Sequence, residues 1–96
     1  MYTVIATLKV KEGKMDEAIQ ILKEDIPKMM KNEPGCLAYI PHNVKGEGSS
    51  TTIIMYEKYA DKDALKFHSA NLMTSMGRLF ALLDPQMDIK TCTEIL

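Results

Sequence analysis

The order in which the hydrophobic period changes along the chain constrains the fold more than any other feature. Residues 2–10, YTVIATLKV, are rich in β-branched types and almost continuously apolar. That predicts a strand covered on both faces, and so a central one. After Gly13 the period changes. Met15, Ala18, Ile19, Leu22, Ile26, Met29 and Met30 fall on one stripe of a helix over 14–32. Asp16 and Glu17 lie in its first turn, where a helix favours acids. Pro27 lies inside the pattern and removes a backbone donor, which predicts a kink near Asp25–Ile26 or two shorter helices. Residues 36–44, CLAYIPHNV, return to strand character, and Pro41 points to a sheet edge or a bulge. KGEGSS (45–50) is a loop and TTIIMYEKY (51–59) a strand, so the two strands form a hairpin.

Asp61 is a good N-cap for a short helix ending near His68. Helical spacing resumes over 70–83 with Leu72, Met73, Met76, Leu79, Phe80 and Leu83. Gly77 costs about 1 kcal/mol there relative to Ala, so its presence predicts close packing. Asp84-Pro85 ends the helix, and Met87, Ile89, Thr91, Thr93 and Ile95 alternate with polar residues as a final strand.

The resulting order, βαββαβ, is the ferredoxin-like α+β arrangement, a four-stranded antiparallel sheet with both helices on one face. Val, Ile, Met and Tyr occupy both parities of the strands, so the other face needs a cover as well. One domain over residues 1–96 cannot supply it, and an identical subunit in a two-fold dimer would. A 10.8 kDa chain should bury roughly 65% of its unfolded surface, enough for a core without staples. Cys36 and Cys92, far apart and outside any CxxC, then read as reduced thiols in a cytoplasm, packed as small buried hydrophobes. A net charge of −1 with interleaved acids and bases argues against nucleic acid as a partner. No apolar run approaches the ~18 residues of a membrane span, and the N-terminal stretch lacks the charged start and cleavage site of a signal peptide.

Two groups titrate near neutral pH without special tuning, His68 and His42. An imidazole suits removal of a proton from a phenol or an activated carbon. Tyr39, Tyr56 and Asn71 could hydrogen-bond a substrate oxygen, and Met55, Met73 and Met76 would suit a flat apolar ligand. Each has a plainer reading. His68 could cap an exposed helix, His42 could sit on the surface beside the hairpin loop, and the methionines could be core. Glu57, in an apolar strand, could be a buried acid with a raised pKa or half of an interface ion pair. Metal-ligand patterns such as HExxH are absent, and Gly46 and Gly48 precede no helix, so no metal, flavin or nicotinamide site is indicated.

EPGCLAY (33–39) before a strand, followed by IIMYEKYADKDALKFH (53–68), an amphipathic helix and a closing strand, resembles the antibiotic biosynthesis monooxygenase family over essentially the whole chain. The resemblance implies a homodimeric α+β barrel of two facing sheets, with a pocket between each sheet and its own helices. It implies a cofactor-independent monooxygenase acting on a quinol or aromatic polyphenol. His68 would be the base, His42 would assist, and Tyr39, Tyr56, Asn71, Met73, Met76 and Arg78 would meet the substrate. The family also contains an isomerase of a phosphorylated compound, so an isomerase of a small keto compound, phosphorylated or not, is the second alternative, with Arg78 or Lys66 to contact an anion. A non-catalytic, ligand-binding dimer is the third alternative. Met73 stands where members often carry a second histidine, and Tyr59 where an aromatic, often Trp, is common. Haem degradation is not implied, because the chain has no Trp and Arg78 or a neighbour stands where the haem-ligating histidine would be.

Overall fold

A computed structural model describes all residues, Met1–Leu96. The elements are β1 (Tyr2–Val10), α1 (Met15–Asn32), β2 (Cys36–Asn43), β3 (Thr52–Tyr59), α2 (Lys62–Phe80) and β4 (Leu83–Thr93). The strands form one antiparallel sheet in the order β2-β3-β1-β4. The expected βαββαβ fold is therefore present, with β1 central and the Pro41-bearing β2 at an edge. Pro85 lies on the other edge strand, β4, where a missing donor costs little.

Period-2 burial decides what each face does. In β3, Ile53, Met55, Glu57 and Tyr59 point into the helix layer, while the residues between them are half-buried on the other face. Val4, Ala6, Leu8 and Val10 of β1 meet them in the core. From the helices come Ala18, Ile21, Leu22 and Met29 of α1, with Met76 and Leu79 of α2. No side chain of this chain's helices covers the opposite face, where Ile40, Tyr56 and Ile5 lie in one row across β2, β3 and β1.

The helices correct three expectations. Pro27 neither kinks nor divides α1, which runs unbroken from Met15 to Asn32. Pro27 and Lys23, whose carbonyl loses its donor, both lie on the exposed side, where water can take that carbonyl. The irregularity falls in α2 instead. His68 does not end a short helix; α2 continues to Phe80, with non-helical backbone at Met76 (φ −125°, ψ 18°). Nor is Gly77 required by close packing, since a Cβ there would meet nothing within 4 Å. The glycine the fold does require is Gly35. A Cβ at that position would lie 2.5 Å from the Ala64 Cβ, because the start of β2 is pressed against the start of α2. The Gly35 carbonyl also accepts the Ala60 N–H at 2.9 Å. The cysteines divide, with Cys36 buried and Cys92 exposed, and both are free thiols.

Candidate active site

Asp61 caps α2 through a 2.8 Å bond from the Ala64 N–H to its carboxylate. That cap sets the helical phase, and the phase turns Leu65, His68, Leu72, Met76 and Leu79 inward at steps of three and four. His68 is thus on the apolar stripe and only 4% exposed. Its surroundings come from three other elements. Glu33, the C-cap of α1, is 5% exposed and its carboxylate lies 2.8 Å from His68 Nδ1. Glu57 of β3 is 7% exposed, with Oε1 3.9 Å from His68 Nε2. The rings of Tyr39 (β2) and Tyr59 (β3) flank the imidazole at centroid distances of 5.3 and 5.2 Å. The two carboxylates lie at opposite nitrogens of the ring, and no three His, Cys, Asp or Glu side chains converge as metal ligands.

Hydrogen-bond chemistry assigns the proton positions. An ionised carboxylate can only accept, so Nδ1 carries the proton that bonds Glu33, and Nε2 is left as the basic nitrogen. Tyr59 donates its hydroxyl to Glu57 Oε1 at 2.6 Å. Burial raises the Glu57 carboxyl above its ordinary value, against the opposing pull of the Tyr59 hydrogen bond and of His68. Burial likewise lifts the Tyr39 and Tyr59 hydroxyls well beyond the ordinary phenol range, so both stay protonated. The Cys36 thiol is pushed up to about 11, first by burial and then by the Glu33 and Glu57 charges, which makes it a poor nucleophile.

A cavity of about 170 Å³ lies between the sheet and α2. Val4, Ala6, Leu8, Leu65, Leu72, Leu79, Phe80, Met87 and Ile89 give it apolar walls, and Tyr39, Glu57 and His68 stand at it. His68 Nε2, Glu57 Oε2 and Tyr39 Oη have no hydrogen-bond partner within the protein. No buried side-chain oxygen or nitrogen that is sealed from solvent lacks such a partner. The three free atoms are therefore not sealed from solvent, and their residues all line this cavity. The result is an apolar slot with a polar end made of one base, one acid and one phenol.

The other residues proposed from sequence are dispersed. His42 lies exposed on the helix-free face of the sheet, its Nδ1 3.0 Å from the Ile40 carbonyl, and Tyr56 is on that face too. Met76 is fully buried core. Asn71, Met73 and Arg78 line a separate groove of about 530 Å³ between α1 and α2. There Asn71 donates to the Phe67 carbonyl, and Arg78 is held by Glu24 and Asp25 at 2.9 and 2.8 Å. Of the proposed set, His68 and Tyr39 alone line the cavity between the sheet and α2. Glu33 was missed, although an acid at a helix C-terminus, where the dipole disfavours it, is a sign of another task.

Residues 1–73 match the profile of the family described as antibiotic biosynthesis monooxygenase. Among solved structures, a Caulobacter crescentus protein described as a candidate antibiotic biosynthesis monooxygenase superposes with a TM-score of 0.84 at 28% identity, covering 99% of this chain and 90% of that one. A Pseudomonas aeruginosa protein gives 0.76 at 26% identity, covering 99% and 94%. A conserved protein of Methanosarcina mazei shares the fold at 0.79 and 24% identity, covering 95% and 89%. No curated protein matches the chain. A profile spanning about three quarters of the sequence, on a fold shared end to end with these structures, places the chain in the antibiotic biosynthesis monooxygenase family.

Proposed function

We propose that this protein is a cofactor-independent monooxygenase of a small, single-ring quinol or polyphenol. One observation carries the reading. A buried histidine that lines an apolar cavity has its Nδ1 held by Glu33 and its Nε2 without a partner in the protein. Nε2 removes a phenolic proton, and the electron-rich anion then reacts with dioxygen. Glu33 holds the tautomer and stabilises the imidazolium that forms, as a buried carboxylate does behind a catalytic histidine. The cavity size sets the substrate size. An apolar cavity of ~150 Å³ takes a benzene ring, so the 170 Å³ here suits one ring rather than a fused system. The isomerase alternative fits less well, because Arg78 is neutralised by two carboxylates outside this cavity.

The test is oxygen uptake by metal-free protein with hydroquinone, corrected for autoxidation. We expect saturable uptake that falls about 10²–10⁴-fold in His68→Ala. In Glu33→Gln we expect a loss of at least about tenfold, because the amide can still bond Nδ1 but cannot balance the imidazolium. Uptake unchanged in His68→Ala would remove His68 as the base. No uptake above autoxidation would leave a ligand-binding protein.

A further inference from the structure

We propose that Glu57 is a second catalytic residue, the acid that works across one substrate oxygen from His68. The proposal deepens the oxygenase reading above and rests on it for the reaction, but its binding claim stands separately. His68 Nε2 and Glu57 Oε1 are 3.9 Å apart, too far for a hydrogen bond to each other. A hydroxyl oxygen held between His68 and the Glu57 carboxyl would bridge the two residues, donating to Nε2 and accepting from the carboxyl oxygen that Tyr59 leaves free. Tyr59 already occupies Oε1, which leaves Oε2 as the oxygen free to hold and give a proton. The carboxyl is buried among Tyr39, Tyr59, Cys36, His68 and Glu33, and its neighbours on β1 and β4, Val4 and Thr91, carry no charge. Burial favours its acid form.

The assignment closes the proton accounting of the reaction. Hydroquinone and dioxygen give hydroxybenzoquinone and water, with dioxygen as oxidant and the ring as the sole electron donor. His68 takes the phenolic proton, and a carbon–oxygen bond forms between the ring and dioxygen. Glu57 then gives its proton to the terminal peroxide oxygen. The Glu57 carboxylate next takes the hydrogen from the same ring carbon. That C–H electron pair becomes the new carbonyl bond as the O–O bond breaks, and the leaving hydroxide takes the proton held by His68. Both residues end as they began.

The experiment compares wild type with Glu57→Gln in two ways. Gln keeps a hydrogen-bond donor at the same place but cannot transfer a proton. Hydroquinone turnover should therefore fall about 10²-fold or more in kcat, with KM within a few-fold. Phenol, neutral and unreactive here, is titrated into each protein by NMR from about pH 5 to pH 8. As the wild-type carboxyl ionises it loses its donor. Wild-type phenol affinity should then fall with pH relative to Glu57→Gln, at least several-fold at the upper end. The same ratio is also taken in a His68→Gln background, which removes the charge coupling between His68 and Glu57. A ratio of phenol affinities constant in pH, or kcat retained in Glu57→Gln, overturns the proposal. Absence of wild-type turnover defeats the oxygenase reading and with it the catalytic role of Glu57. The phenol ratio then still decides whether Glu57 grips a hydroxyl.

Discussion

Among the single residues, Glu57 most clearly sets function against stability. A carboxyl raised above the ordinary glutamate value of 4.5 binds its proton more tightly in the folded chain than in the unfolded one. Between those two values the folded state holds a proton that the unfolded state has released. Stability therefore falls as pH rises through that window and levels off above it. Gln at the same place does not titrate. The midpoint of thermal unfolding of Glu57→Gln should gain on that of wild type as pH climbs from about 4 to about 8. A difference constant in pH would mean that the carboxyl ionises as readily in the folded chain as in the unfolded one. The same residue shows what could be read from sequence. An acid inside TTIIMYEKY was visible as either a buried acid or an interface partner. The period-2 alternation of β3, once its inward parity is known, selects the first. His68 needed one further step. Ending its helix at that residue hid the fact that it continues the stripe of Leu65, Leu72, Met76 and Leu79. Glu33, 35 positions away in sequence, met His68 only when the fold was known.

Two elements meet where β2 begins against the first turn of α2, and their junction is what brings Glu33 to His68. The two family segments, EPGC and the one containing Asp61-x-x-Ala64, are there in physical contact. Gly35 supplies the missing side chain, Ala64 the small one, and Asp61 the cap that phases the helix. Gly35→Ala should therefore act as an overpacking change, at about 1–3 kcal/mol of stability. For a chain of this size that lowers the melting midpoint by roughly 4–8 °C per kcal/mol. Ala64→Gly alone weakens the helix by about 1 kcal/mol. Combined with Gly35→Ala it should recover part of the loss, because the contact is relieved. Additive losses in the double variant would show that the close approach is not what Gly35 serves. The element boundaries read from sequence were good wherever periodicity changed sharply, as at β1 and β3. They failed at Pro27, which does not divide α1, at His68, which does not end its helix, and at Asp84-Pro85, which lie inside β4 and not at the end of α2.

For the whole molecule, β3 is the strand that both faces share. Its residues Met55, Glu57 and Tyr59 serve the core and the cavity, while Ile54, Tyr56 and Lys58 face away from the helices. Ile40, at 48% exposure, Tyr56 and Ile5 form one apolar row on that outer face, and Ile54 lies in the next row beside His42 and Thr7. A stable interface buries about 800 Å² per partner. That is about an eighth of this chain's 6180 Å², and the outer face of a four-stranded sheet can supply it. Two such sheets packed face to face would stack about 10 Å apart, with the charges of Lys9, Lys90 and Asp88 left toward the rim. We propose that a second copy of the chain is the cover, since a self-complementary apolar patch closes with two-fold symmetry and leaves no open surface. In sedimentation equilibrium at micromolar concentration, wild type should give twice the 10.8 kDa chain mass. Ile54→Asp, which puts a charge in the patch without touching the helix layer, should give the single-chain mass. A wild-type monomer would remove the dimer. A dimer unaffected by Ile54→Asp would move the interface to another surface. The sheet would then show its outer apolar row to water, and the alternation in β3 would have only the cavity left to explain it.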